Sequence, residues 1–170
     1  MGRIANVGAT FFLLVVNNLV SAVNAKYTPL SIDLSGYKYV SSSIDNKTEK
    51  YLYSQESSQS DLAFGSGEVA KSKSEAYIKN LYLQGLDKFF TPSSWLKKGE
   101  DKVINGTTWY DFQYVSNPMP NSKCCDLFHY HLMTIYKNRL VTFAYSCPVS
   151  EMDKNRAAVQ TLVKSLMFKK

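Results

Sequence analysis

Between Asp126 and Cys147 the chain alternates with period two. Phe128, Tyr130 and Leu132 fall on one side of a first run, and His129, His131 and Met133 fall on the other. After the polar pair Lys137-Asn138 a second run sets Val141, Phe143 and Tyr145 against Thr142, Ala144 and Ser146. Aromatic and β-branched residues alternating about a polar dipeptide predict a β-hairpin. A two-residue turn at Lys137-Asn138 places Tyr136 opposite Arg139, Leu132 opposite Phe143 and Tyr130 opposite Tyr145. The face carrying Phe128, Tyr130, Leu132, Val141, Phe143 and Tyr145 is apolar enough to seat a helix. The face carrying His129 and His131 is smaller and more polar, and is expected to meet solvent.

The period changes twice along the chain. Ile78, Leu81, Tyr82, Gly85 and Phe89 recur at helical spacing. Ser72 and Glu75 have the spacing of a capping box, and Thr91-Pro92 ends the run. A second helical stripe, Met152, Val159, Leu162, Val163 and Leu166, follows Pro148, with Ser150 and Asp153 placed to cap it and Lys164 near its negative end. Short alternating runs at Tyr37–Val40, Lys50–Ser54, Leu62–Val69, Asp101–Ile104 and Thr107–Val115 predict strands. Asn105-Gly106 is a hairpin turn between the last two. Lys26 to Ser35 is an extended lead-in, and Asn117 to Cys124 is a loop with two prolines. The predicted order β-β-β-α-β-β-β-β-α describes an α+β protein, an antiparallel sheet of six or seven strands with helices packed on it.

Composition adds little to that picture, but the start of the chain adds a good deal. At 170 residues, 45% of them hydrophobic, the chain is long enough for one domain with a substantial core. A net charge of +6 is spread along the sequence without blocks, which favours acidic partners and argues against nucleic acid. Arg3, the apolar run Phe11 to Val16 and the small residues of Val23-Asn24-Ala25 follow the pattern of a signal peptide. Asn17 and Asn18 break the run, so it is too short for a stable membrane span. The expected organisation is a signal peptide over residues 1–25 and a single domain over residues 26–170, secreted or periplasmic.

Cys124, Cys125 and Cys147 leave an odd thiol in an oxidising compartment, so a bridge from Cys147 to Cys124 or Cys125 with one thiol left over is the simplest arithmetic. In the hairpin register Cys147 faces Phe128, so such a bridge needs the preceding loop to fold back over the sheet. Pinned in that way, Pro118, Met119 and Pro120 would form a partner-binding loop of low ordering cost, with Trp95 a further aromatic anchor. His129-x-His131 beside Cys124-Cys125 has the softness of zinc ligands but none of the established zinc spacings, and a solvated strand face explains the pair more simply. A Cys-His nucleophile lacks an orienting carboxamide or carboxylate. Gly65 and Gly67 lack the helix and lysine of a phosphate loop. No cofactor, metal or catalytic constellation is therefore assigned. Asn46-Lys47-Thr48 and Asn105-Gly106-Thr107 are sequons, the second better read as a tight turn.

The order of elements, the turn Ile104-Asn105-Gly106-Thr107-Thr108-Trp109-Tyr110, the aromatic hairpin and the closing helix ending Val163-Lys164-Ser165-Leu166-Met167-Phe168 resemble the Mog1/PsbP-like fold. Proteins of that fold include photosystem II extrinsic subunits, a Ran-binding protein, and bacterial exported proteins of the DcrB-like and immunity types. The resemblance implies binding rather than catalysis and transfers no individual site residue. With the export pattern it implies an exported, non-enzymatic protein-binding module, in its more specific form an immunity protein against a secreted toxin. The competing class is a small-molecule or metal-binding periplasmic protein, or an enzyme using Cys and His.

Overall fold

The structure, a computed structural model, describes residues 30–45, 47–117 and 125–168. In chain order its elements are β1 (Leu30–Ser31), β2 (Lys38–Ile44), β3 (Thr48–Gln55), β4 (Ser60–Glu68), α1 (Glu75–Phe90), β5 (Pro92–Ile104), β6 (Thr107–Ser116), β7 (Leu127–Tyr136), β8 (Arg139–Pro148), α2 (Met152–Ser165) and β9 (Met167–Phe168). Seven strands form one antiparallel sheet in the order β2-β3-β4-β8-β7-β6-β5. The β7–β8 hairpin lies at its middle with the expected register, Tyr136 opposite Arg139 and Tyr130 opposite Tyr145. Lys137 and Asn138 both take positive φ, 48° and 61°, as do Asn105 and Gly106 at 46° and 78°. These are the dihedral signs of the primed turn that matches strand twist.

The two helices cover opposite faces of the sheet. Val159, Leu162 and Val163 of α2 pack on Tyr130, Leu132, Phe143 and Tyr145, the face predicted to seat a helix. Ile78 and Leu86 of α1 pack on Phe112, Tyr114 and Met133, which belong to the other face. The second face was expected to meet solvent, and this is corrected: His129 and His131 are each 5% exposed. The physical reason lies on β6. It pairs with β7 so that Phe112 stands beside His131 and Tyr114 beside His129, which makes that face aromatic enough to need its own cover.

Several local expectations give way to neighbouring groups. Ser74 caps α1, its Oγ accepting the Tyr77 N–H at 3.2 Å, in place of the Ser72–Glu75 box. Ser74 has the extended backbone of an N-cap (φ −70°, ψ 154°), and Glu75 is already the first helical residue. α2 starts from a 3-10 turn at Val149–Glu151, which uses Val149 C=O to accept the Met152 N–H, so no side chain caps it. Asp153 takes Arg156 at 2.7 Å instead of capping with Ser150. β5 begins at Pro92, nine residues before its predicted start at Asp101, and three register shifts hide its alternation. One lies at Gly99, where φ is +82° and a Cβ would sit 2.9 Å from the Phe112 ring. Residues 30–34 are more than a lead-in: Leu30, Ile32 and Leu34 are each 1% exposed, and β1 pairs with β9.

Cys147 is a free, buried thiol, so the expected bridge is not formed. β8 ends in register with β7, Cys147 opposite Phe128, which points the sulfur into the core under α2. Cys125 is exposed two residues before β7 begins, whereas Cys147 is buried in the core. Cys124 and the Pro118-Met119-Pro120 loop lie outside the described residues, as do residues 1–25 and Asn46.

Candidate functional site

Two places gather polar chemistry, one on each face of the sheet. Under α1, His131 Nδ1 meets Tyr82 Oη at 3.0 Å and its Nε2 meets Tyr114 Oη at 3.3 Å. His129 Nε2 meets Ser116 Oγ at 2.8 Å. Tyr114 stacks on His129 with ring centroids 4.7 Å apart, and the Phe90 ring lies 5.5 Å from both imidazoles. Burial holds His129 down to about 4, and burial followed by the charge of His129 holds His131 down to about 3. Both are therefore neutral at physiological pH. Burial raises the hydroxyls of Tyr82 and Tyr114 well above the usual phenol range, which keeps them as hydrogen-bonding groups. Phenols and a serine engage three of the four imidazole nitrogens, and no group of three His, Cys, Asp or Glu gathers among the described residues. This cluster is a hydrogen-bonded polar patch inside a core.

Between α2 and the β5–β8 part of the sheet lies a cleft of about 600 Å³. Its apolar lining comes from Ile104, Phe128, Tyr130 and Tyr145 of the sheet and from Met152, Val159 and Val163 of α2. Its polar lining comes from Lys102 and Gln113 of the sheet and from Arg156, Gln160 and Lys164 of α2. The volume falls within the roughly 300–1,000 Å³ of small-molecule sites, and a few polar groups set in an apolar lining is the composition of such sites.

The polar edge of the cleft is held in place by a buried carboxylate. Asp111 follows Trp109 by two residues on the α2 face of β6, and its side chain is 1% exposed. Gln113 Nε2 donates to both its oxygens at 3.0 and 3.1 Å. Lys97 and Lys102 of β5 approach it at 3.7 and 3.8 Å. Lys102 Nζ also donates to Tyr130 Oη at 2.7 Å and lies over the Tyr130 ring. Hydrogen bonding to Glu100, then the charge of Asp111, raises Lys97 above the usual ammonium range. A buried carboxylate needs such partners, and here it fixes where the lysines stand. Burial, then Asp111, pushes the Tyr130 hydroxyl far above the usual phenol range, so it serves as a hydrogen-bonding group.

The residues singled out in the sequence are scattered with respect to this cleft. His129 and His131 are on the opposite face. Cys147 adjoins the core under α2, and burial raises its thiol above the ordinary value. Trp95 is half-buried against Tyr114, centroids 5.1 Å apart, with Lys98 over its ring. In the alternation of β7, Phe128 and Tyr130 read only as a helix seat. The sequence signal for Asp111 and Gln113 is two polar residues in phase with Trp109 on a half-buried strand, and Lys102 on β5 has no such signal.

No protein family and no curated protein matches the sequence. Solved structures match in shape. The chain superposes on PA94 of Pseudomonas aeruginosa with a TM-score of 0.56 at 11% identity, covering 86% of this chain and 88% of that one. Against cyanobacterial PsbP (CyanoP) of Synechocystis the TM-score is 0.53 at 13% identity, covering 89% and 99%. Against the Ran-binding protein Mog1p of Saccharomyces cerevisiae it is 0.52 at 9% identity, covering 82% and 90%. A seven-stranded antiparallel sheet with a helix on each face makes the chain an α+β protein. Its fold is the Mog1/PsbP-like one, as the turn at Asn105-Gly106 and the closing helix led us to expect.

Proposed function

We propose that this chain is an exported binding protein that acts through the cleft under α2 and carries out no chemistry there. One observation carries the reading: the cleft is lined for recognition, while both histidines of the chain are sealed on the other face and held neutral. A general base must reach the proton it takes, and neither imidazole reaches the cleft. Export rests on the n-region, apolar run and small-residue site of residues 1–25. No helix of the described residues is long and apolar enough to cross a membrane. Ligand-observed NMR with a fragment library tests the cleft. Binders should be found for the purified protein and lost in Gln160→Trp, where an exposed α2 residue becomes a plug. A screen without binders, or binders indifferent to the plug, would remove the cleft from consideration.

A second reading has its own observation. β2 is an outer strand, exposed along its whole length, with Tyr39, Val40 and Ile44 standing out by 56%, 51% and 44%. An edge strand with open amides can take a further strand from a protein partner. That a protein of this fold is named for binding Ran supports the reading. Inhibition of a secreted toxin is the specific form of this reading that the fold resemblance supplies. Val40→Lys should abolish a purified partner's binding on this reading and leave it intact if the cleft face is used.

A further inference from the structure

We infer that the occupant of the cleft is an amphipathic anion, a free molecule with one anionic head, such as a carboxylate, on an apolar body. This rests on the cleft being the binding site and adds the chemical class. The first support is the sign of the lining. Lys102, Arg156 and Lys164 border the cleft, and no Asp or Glu does so among the described residues. Three carboxylates face these cations or their neighbours, and none belongs to the lining. Asp111 is sealed in the sheet beside Lys102 and is shared with Lys97. Asp153 holds Arg156 from the solvent side, and Glu100 holds Lys97 at 3.2 Å. None of the ion pairs among the described residues uses Lys164.

The second support is the way charge and apolar surface are separated. Arg156, Gln160 and Lys164 are exposed on α2, one turn apart, while Val159 and Val163 beside them are buried against the sheet. Phe128 and Tyr145 lie deep, 8% and 1% exposed. An apolar body entering between helix and sheet leaves its head at a row of cations and amides. A cationic head would meet like charge at the same place, and a neutral head would leave the guanidinium and ammonium groups without their gain.

Titration calorimetry of the purified protein with laurate and dodecylamine below their micellar concentrations and dodecanol below its solubility limit, all at neutral pH, separates the possibilities. Laurate should bind at least tenfold more tightly than dodecanol, with dodecylamine weakest. The double substitution Arg156→Gln, Lys164→Gln lies on the exposed side of α2 and should keep the unfolding temperature while cutting the laurate advantage to about threefold or less. Gln160→Trp should weaken all three. Equal affinity for laurate and dodecanol would overturn the anionic class and leave the cleft standing as a site. Binding that Gln160→Trp leaves unchanged would place the ligands elsewhere and overturn both. Failure of all three to bind overturns the amphiphile, and the fragment screen then decides the cleft separately.

Discussion

Asn105 takes the left-handed backbone of its turn and sends Nδ2 to two carbonyls at the end of α2, Lys164 C=O and Leu166 C=O, each at 2.8 Å. A turn residue of β5–β6 thereby satisfies acceptors that every helix leaves open. Asn105→Gly keeps the positive φ and loses only these bonds. It should cost about 1–2 kcal/mol in urea unfolding, and a change within error would assign the helix end to solvent. The same nitrogen is the glycan acceptor of its sequon, so glycosylation competes with this contact. The histidines make the other residue-scale prediction. Their folded values, about 4 and about 3, lie below the ~6.5 of an unfolded chain, which therefore binds more protons in between. Stability is complete above pH ~6.5 and is withdrawn as pH falls towards 4 and then 3, by at most ~1.4 kcal/mol per pH unit for each residue. The urea midpoint should fall between pH 7 and pH 5, and His131→Gln should flatten that fall. Burial raises the Asp61 carboxyl and works in the opposite sense, so the comparison of variants isolates the imidazole. An equal slope in both proteins would mean that His131 is hydrated.

At the scale of elements, the β7–β8 hairpin is the unit whose sequence and structure agree most closely. Phe143 is fully buried beneath α2, and Phe143→Ala should destabilise by roughly 3–5 kcal/mol in denaturant unfolding. A loss under ~1 kcal/mol would show that α2 does not press on this face. The hairpin was legible because period two and a two-residue turn are both local. The helices were legible as elements of sixteen and fourteen residues, but the face α1 buries was not: Leu81 and Phe89 of its expected stripe are 48% and 68% exposed, while Leu86, outside that stripe, is buried. What was not legible is set at long range. Nothing near His129 shows that α1, some forty residues earlier, crosses to cover it. The alternation of β5 is broken by bulges at three places, so only its last four residues read as a strand. The cleft draws its lining from β5, β6, β7, β8 and α2, and Lys102 acquires its role only beside Asp111 and Tyr130. A pocket assembled in this way has no signature in any one stretch of chain.

For the whole molecule the first expectation concerns processing. On the export proposal, cleavage after the small residues of Val23-Asn24-Ala25 would leave Lys26 as the mature N-terminus, five residues before the end of β1 at Ser31. Intact mass of the protein collected from outside the cells of its own host should show Lys26 first, and Met1 on that product would end the export proposal.

The short β1–β9 ladder also gives the domain a mechanical character. Leu30 lies across from Phe168 and Ser31 across from Met167, so the chain arrives and departs at the same rung. Tension applied through the two ends opens this ladder rung by rung instead of loading both rungs together. Leu30, a core side chain, and Phe168, stacked on Tyr136 at 3.8 Å and on Trp109 at 5.9 Å, share the outer rung and are drawn out together, and the end of α2 follows. The wall of the cleft therefore slackens while the central strands still hold. Strung between two anchors, the molecule would open the cleft at a force below the one that tears the sheet.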